Sequence, residues 1–131
     1  MMEELFVEET DTTPQVHFKP EEGVLEIKGI SIPEDAEAFY NPVLELLEKY
    51  VQDEPKSETD VLFKLVYINT GTSAMVAKLI KIVEALDEKE DYKINVCWYY
   101  EEEDEDMKDL GDYFSSFTEL VFEFVPTEEI E

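Results

Sequence analysis

Arginine is absent: all ten basic residues are lysine, so no guanidinium fork exists to clamp a carboxylate or phosphate bidentately. There is one cysteine, Cys97, and one histidine, His17. A single thiol forms no internal disulfide, and the two residues are too few for a structural zinc site; this cysteine usage suits a reducing compartment. No apolar run approaches the length of a membrane span. The start, Met1 to Glu9, lacks the basic residues and apolar stretch of a secretion signal. The reading is a soluble cytoplasmic protein. Glycine is also scarce, with four in 131 residues, which leaves no Gly-rich phosphate loop and no Gly-x-Ser-x-Gly nucleophile elbow.

Acid is what the chain has in abundance. Thirty-five Asp and Glu against ten Lys give a formal charge of −25 and a pI near 4.1, a field that repels nucleic-acid backbones and anionic lipid surfaces. The densest acidic run is Glu101-Glu102-Glu103-Asp104-Glu105-Asp106. It lacks the glycine-centred ligand pattern of an EF-hand and reads as a solvated stretch that starts a helix. Leu, Ile, Val and Phe nevertheless fill 39 positions, enough apolar side chain for one core. No metal or cofactor is implied.

Thr12 to Lys28 reads as a hairpin, with Val16 and Phe18 alternating before the turn at Gly23 and Val24, Leu25 and Ile27 after it. Ser31-Ile32-Pro33-Glu34-Asp35 combines a capping hydroxyl, an early proline and first-turn carboxylates, which announces a helix running to about Val51. Phe39, Val43, Leu46, Leu47 and Tyr50 form its apolar face; Pro42 should kink it, with Asn41 recapping the second half. Val61 to Ile68 reads as a central strand. A second helix follows, with Val76, Leu79, Ile80, Val83 and Leu86 on one face and Thr72 or Ser73 as its cap. Tyr92 to Tyr100 returns as a strand, Asp104 to Ser115 as a short helix and Leu120 to Val125 as a last strand.

The order ββαβαβαβ implies one α/β domain spanning 1–131, with a mixed sheet of about five strands, an N-terminal hairpin and helices packed on the sheet. Residues 1–11 and 126–131 are expected as flexible acidic ends. The turn Asn69-Thr70-Gly71-Thr72-Ser73 joins the carboxyl end of the central strand to a helix start, where open α/β sheets place their sites. Its hydroxyls either cap the helix or carry a function, and the helix start would tolerate a phosphate or another anion. His17 reads as structural on the less buried side of the hairpin, and Cys97 as a small strand hydrophobe. Met75 and Ile82, off the main helical face beside Lys78, offer either a docking patch or cover for a loop.

The stretches Thr13-Pro14-Gln15-Val16-His17-Phe18, Gly23 to Gly29, Ser31 to Ala36, Val66-Tyr67-Ile68-Asn69-Thr70, and Trp98-Tyr99-Tyr100 followed by acids and Asp106-Met107 together resemble the SiaC family of bacterial regulatory phosphoproteins over nearly the whole chain. The resemblance implies a STAS-like, anti-sigma-factor-antagonist-like fold and a switch without enzymatic activity. It also implies a serine/threonine kinase that phosphorylates a threonine after the central strand, and a PP2C-type phosphatase that reverses it. The unmodified form is implied to bind and stimulate an output enzyme, a diguanylate cyclase, in cyclic di-GMP signalling. The matching acceptor is Thr70. Family members commonly read Asn-Thr-Ser-Ser where this chain reads Asn69-Thr70-Gly71-Thr72, so Thr72 is the second choice and Ser73 the third. Asn69, Thr70, Gly71, Thr72, Ser73, Met75 and Lys78 are the expected partner-binding residues. Two other classes remain: a small-ligand or anion-binding domain using the same helix start, and a hydrolase, which needs His17 beside a hydroxyl.

Overall fold

The computed structural model describes residues 3–130. The chain forms β1 (Leu5–Val7), β2 (Gln15–Lys19), β3 (Val24–Ser31), α1 (Ala36–Asp53), β4 (Glu58–Ile68), α2 (Thr70–Asp87), β5 (Lys93–Glu101), α3 (Glu105–Ser115) and β6 (Phe122–Thr127). The strands make one sheet in sequence order, β1-β2-β3-β4-β5-β6. The first two junctions are antiparallel, and the β3–β4, β4–β5 and β5–β6 junctions are parallel. Three successive right-handed crossovers that advance in the same direction lay their helices on the same face. Burial agrees: β3 and β4 alternate buried and half-buried residues along their length. Leu25, Ile27, Val61, Phe63, Leu65, Val96 and Trp98 point into the core, while Glu26, Leu62, Lys64 and Cys97 occupy the opposite, half-exposed face.

The expected sheet of about five strands has six. The additional strand, β1, lies within the segment expected as a flexible end and pairs Leu5, Phe6 and Val7 with Phe18, His17 and Val16. The other expected flexible end contributes Pro126 and Thr127 to β6, and the Ile130 N–H donates to a Glu101 carboxylate at 3.1 Å. Met1, Met2 and Glu131, the outermost parts of those ends, fall outside the described residues.

Helix α1 begins later than its sequence signal. Asp35 is the cap, its carboxylate accepting from the Ala38 N–H at 3.0 Å; Ser31 is instead the last residue of β3 and is fully buried. The helix runs through Pro42 as one element, so Asn41 does not recap it. Its burial falls on Tyr40, Val43, Leu44, Leu47, Tyr50 and Val51, with Phe39 and Leu46 at the margin. The expected face of α2 is buried as read, and Met75 joins it at 3% exposure.

One irregularity shapes the end of β4. The register shifts between Gly29 and Ile30, so that Leu65 pairs with Gly29 but Tyr67 with Ile30 and Ile68 with Ser31. The extra residue, Val66, is a bulge that reverses which face the following side chains take. Tyr67 thereby turns outward, 61% exposed, and Ile68 packs against the core.

Candidate functional site

The chain leaves β4 at Ile68 and enters α2 at Thr70, with Asn69 as the pivot. Its side-chain oxygen accepts from the Thr72 N–H at 2.9 Å, and its amide donates to the Pro33 carbonyl at 3.0 Å. Its backbone N–H reaches the Ser31 carbonyl at 3.1 Å. Asparagine thus caps the helix and ties its start to the β3–α1 connection. This corrects the expected cap at Thr72 or Ser73, because the helix begins three to four residues earlier than those hydroxyls suggested.

The three hydroxyls of the turn part ways. Thr70, the first helical residue, is exposed, and its hydroxyl makes no hydrogen bond among the described residues. Thr72 is fully buried: its hydroxyl donates to the Ser31 carbonyl at 3.0 Å and lies 2.8 Å from the Ser31 hydroxyl, which lies 2.7 Å from the Tyr40 hydroxyl. One donor order satisfies this chain, Tyr40 to Ser31 to Thr72 to the Ser31 carbonyl. Burial pushes the Tyr40 phenol up to about 12, with the neighbouring Ser31 and Thr72 hydroxyls pulling the other way, so it stays neutral. Ser73 is half-buried.

This arrangement removes Thr72 from both of its expected roles. A hydroxyl sealed in the core and already bonded is out of reach of a kinase or a docking protein. Met75 is corrected in the same way, since it is a core residue. Asn69, Thr70, Gly71 and Ser73 hold exposed or half-exposed positions at the head of α2, and Lys78 an exposed one about two turns further along. Gly71 is there for space: a Cβ at that position would meet the Ala36 Cβ at 2.9 Å, so its lack of a side chain lets the starts of α1 and α2 approach closely. The N–H groups of Thr70 and Gly71 belong to the first turn, where a helix has no internal acceptors for them and its dipole is positive.

Sequence reasoning missed Ser31, Tyr40 and Tyr67. Ser31 carried the wrong signal, a cap pattern. Tyr67 carried none, because its outward direction depends on the bulge at Val66.

His17 is far from this turn. Its ring is 2.7 Å from the Glu4 carboxylate and edge-on to Phe6, and it aligns through Glu26 with Leu62, about 20 Å back along β4 from Ile68. A His-dependent nucleophile at Thr70 is therefore not assembled. The Cys97 thiol is pushed up by burial and then by Glu123 and Asp60, which favours the thiol over the thiolate. No group of three or more His, Cys, Asp or Glu among the described residues is placed to hold a metal ion. No described helix is long and apolar enough to cross a membrane.

The family model described as SiaC family regulatory phosphoprotein matches residues 7–127. An uncharacterized protein of Pseudomonas aeruginosa is 24% identical over 116 residues, covering 86% of this chain and 88% of its own length. Among solved structures, SiaC of Pseudomonas aeruginosa superposes with a TM-score of 0.87 at 19% identity, covering 96% of this chain and 100% of its own. A second, of the diguanylate cyclase SiaD in complex with its activator SiaC from the same organism, gives a TM-score of 0.86 at 19% identity, with coverage of 94% of this chain and 99% of the other.

Proposed function

The chain belongs to the SiaC family, and from that premise we propose that it is a regulator without catalytic activity that binds and activates a diguanylate cyclase while Thr70 is unmodified. A serine/threonine kinase phosphorylates Thr70 and so releases the cyclase, and a PP2C-type phosphatase restores binding. The solved complex of a relative with a cyclase supports the partner class. The observation that carries the site is the contrast within one turn: Thr70 is exposed and its hydroxyl makes no hydrogen bond among the described residues, whereas Thr72 is fully buried with its hydroxyl bonded.

The physics of the switch follows from that position. Phosphothreonine carries about −1.5 to −2 charges at neutral pH. At the head of α2 the domain tolerates it, because the dipole and the first-turn N–H groups offset part of its cost. A docked partner that covers Thr70 has no such compensation and must desolvate the dianion or leave. With no arginine in the chain, no bidentate clamp folds over the phosphate, and it stays open to a phosphatase.

The test is incubation with kinases of the host and ATP, followed by intact-mass measurement and peptide mapping of wild type and Thr70→Ala. A single phosphate on wild type, mapped to Thr70 and lost in the variant, is expected. Undiminished labelling of Thr70→Ala overturns the acceptor assignment.

A further inference from the structure

Val61 to Val83 contains no Asp or Glu but carries Lys64, Lys78 and Lys81, in a chain with 35 acids. Most of α2 lies within that stretch. Its solvent side presents Thr70, Gly71, Ala74, Ala77, Lys78 and Lys81, all exposed. Lys78 has no acidic partner among the described residues, and the 66% exposed Lys81 has only Glu84, at 3.4 Å. Glu84 is also held from the other side by the Thr118 hydroxyl.

Beside this strip lies an apolar groove of about 340 Å³ lined by Ala77, Lys78, Ile80 and Lys81 of α2 and by Phe114 and Phe117. Among the described residues no carboxylate lines it. Phe117 is 58% exposed and Tyr113, which packs edge-on against it, is 57% exposed. Two large aromatic surfaces left in water beside an apolar groove form an unusual patch on an otherwise highly charged molecule. Its position is also specific, since Lys78 lies about 12 Å along the helix axis from Thr70.

We propose that this groove seats an amphipathic helix of the partner protein, with its apolar side chains against Phe117 and Ala77 and its flanking carboxylates toward Lys78 and Lys81. The proposal rests on the reading of the chain as a partner-binding regulator and specifies the chemistry of what binds. Charge decides the occupant. A second copy of this chain brings another −25 and is repelled, and a basic helix is drawn to the acidic surfaces rather than to this one. Groove recognition of a helix uses apolar anchors at spacings of three, four and seven residues, with charges at the rim setting orientation. An acidic helix running from this groove toward Thr70 also makes phosphorylation doubly effective, because the new dianion meets like charge.

The test uses a short synthetic helical peptide with Leu at positions i, i+4 and i+7 and Glu on its flanks, and a twin with every Glu replaced by Lys. Binding is followed by fluorescence titration at low and high salt, and the surface is mapped by amide chemical shifts. The Glu peptide should bind along α2 and α3, more weakly as salt rises. Affinity should fall about tenfold or more in Lys78→Glu/Lys81→Glu and in Phe117→Ser, each checked for folding by circular dichroism. Lys56→Glu, in the connection before β4 and so at the far end of the sheet, should change it little. Absence of binding, equal binding of the twin, or indifference to both groove variants overturns the proposal. Kinase labelling of Thr70 is read on the same variants and should persist in them, so the groove and the phosphorylation site succeed or fail separately.

Discussion

The Thr72 hydroxyl donates to the Ser31 carbonyl at 3.0 Å and lies 2.8 Å from the Ser31 hydroxyl, fastening the first turn of α2 to the end of β3. The same contact leaves Thr70, two residues earlier, as the hydroxyl facing solvent. A buried anchor and an exposed threonine are thus set by one turn of helix.

Thr72→Val keeps the shape of the side chain but removes the buried donor to the Ser31 carbonyl. The loss should be about 1–3 kcal/mol of unfolding free energy, measured by urea denaturation. Kinase labelling of Thr70 should remain stoichiometric. Loss of the label in a folded Thr72→Val protein would count for Thr72 as acceptor.

Asn69→Ala removes the cap on the Thr72 N–H and the bond to the Pro33 carbonyl together. A cost of about 0.5–2 kcal/mol is expected from capping alone. Hydrogen exchange should quicken first in the opening turn of α2. An unchanged denaturation midpoint would show that the turn holds without its asparagine.

Gly71→Ala sets two Cβ atoms, its own and that of Ala36, on course to meet at 2.9 Å. Overpacking of this kind costs about 1–3 kcal/mol, less the propensity gained by alanine in a helix. Combining it with Ala36→Gly should recover part of the loss. A double-mutant cycle with no coupling would place the strain elsewhere.

The Thr118 hydroxyl donates to Glu84 and, as the largest influence, holds that carboxyl below its usual value. A carboxylate whose folded pKa is depressed adds stability at pH values above its unfolded pKa and loses it as pH falls through the folded one. The stability difference between wild type and Thr118→Val should therefore be full at neutral pH and shrink on acidification. A difference independent of pH would show that the bond does not favour the ionised form.

Periodicity carried the long elements. Val76, Leu79, Ile80, Val83 and Leu86 repeat at helical spacing, and all five are buried. The near-continuous apolar run Val61 to Ile68 lies within β4, a strand with a neighbour on each side. What escaped was decided by distant partners. Leu5-Phe6-Val7 is three residues between pairs of glutamates, too short for a pattern, and becomes a strand only because β2 offers an edge to pair with. Ser31 and Asp35 are both good capping residues four positions apart; the strand pairing of Ser31 with Ile68 decided between them. Thr72 entered the expected interface because the helix start was placed late, and Met75 because it was read as lying off the main apolar face; each proved to face the core.

The most direct measurement compares the affinity of a diguanylate cyclase from the host for the unmodified protein with its affinity for protein stoichiometrically phosphorylated at Thr70. The switch predicts tight binding of the first and a loss of about tenfold or more for the second, with both forms equally folded by circular dichroism. Equal affinity of the two forms would contradict it.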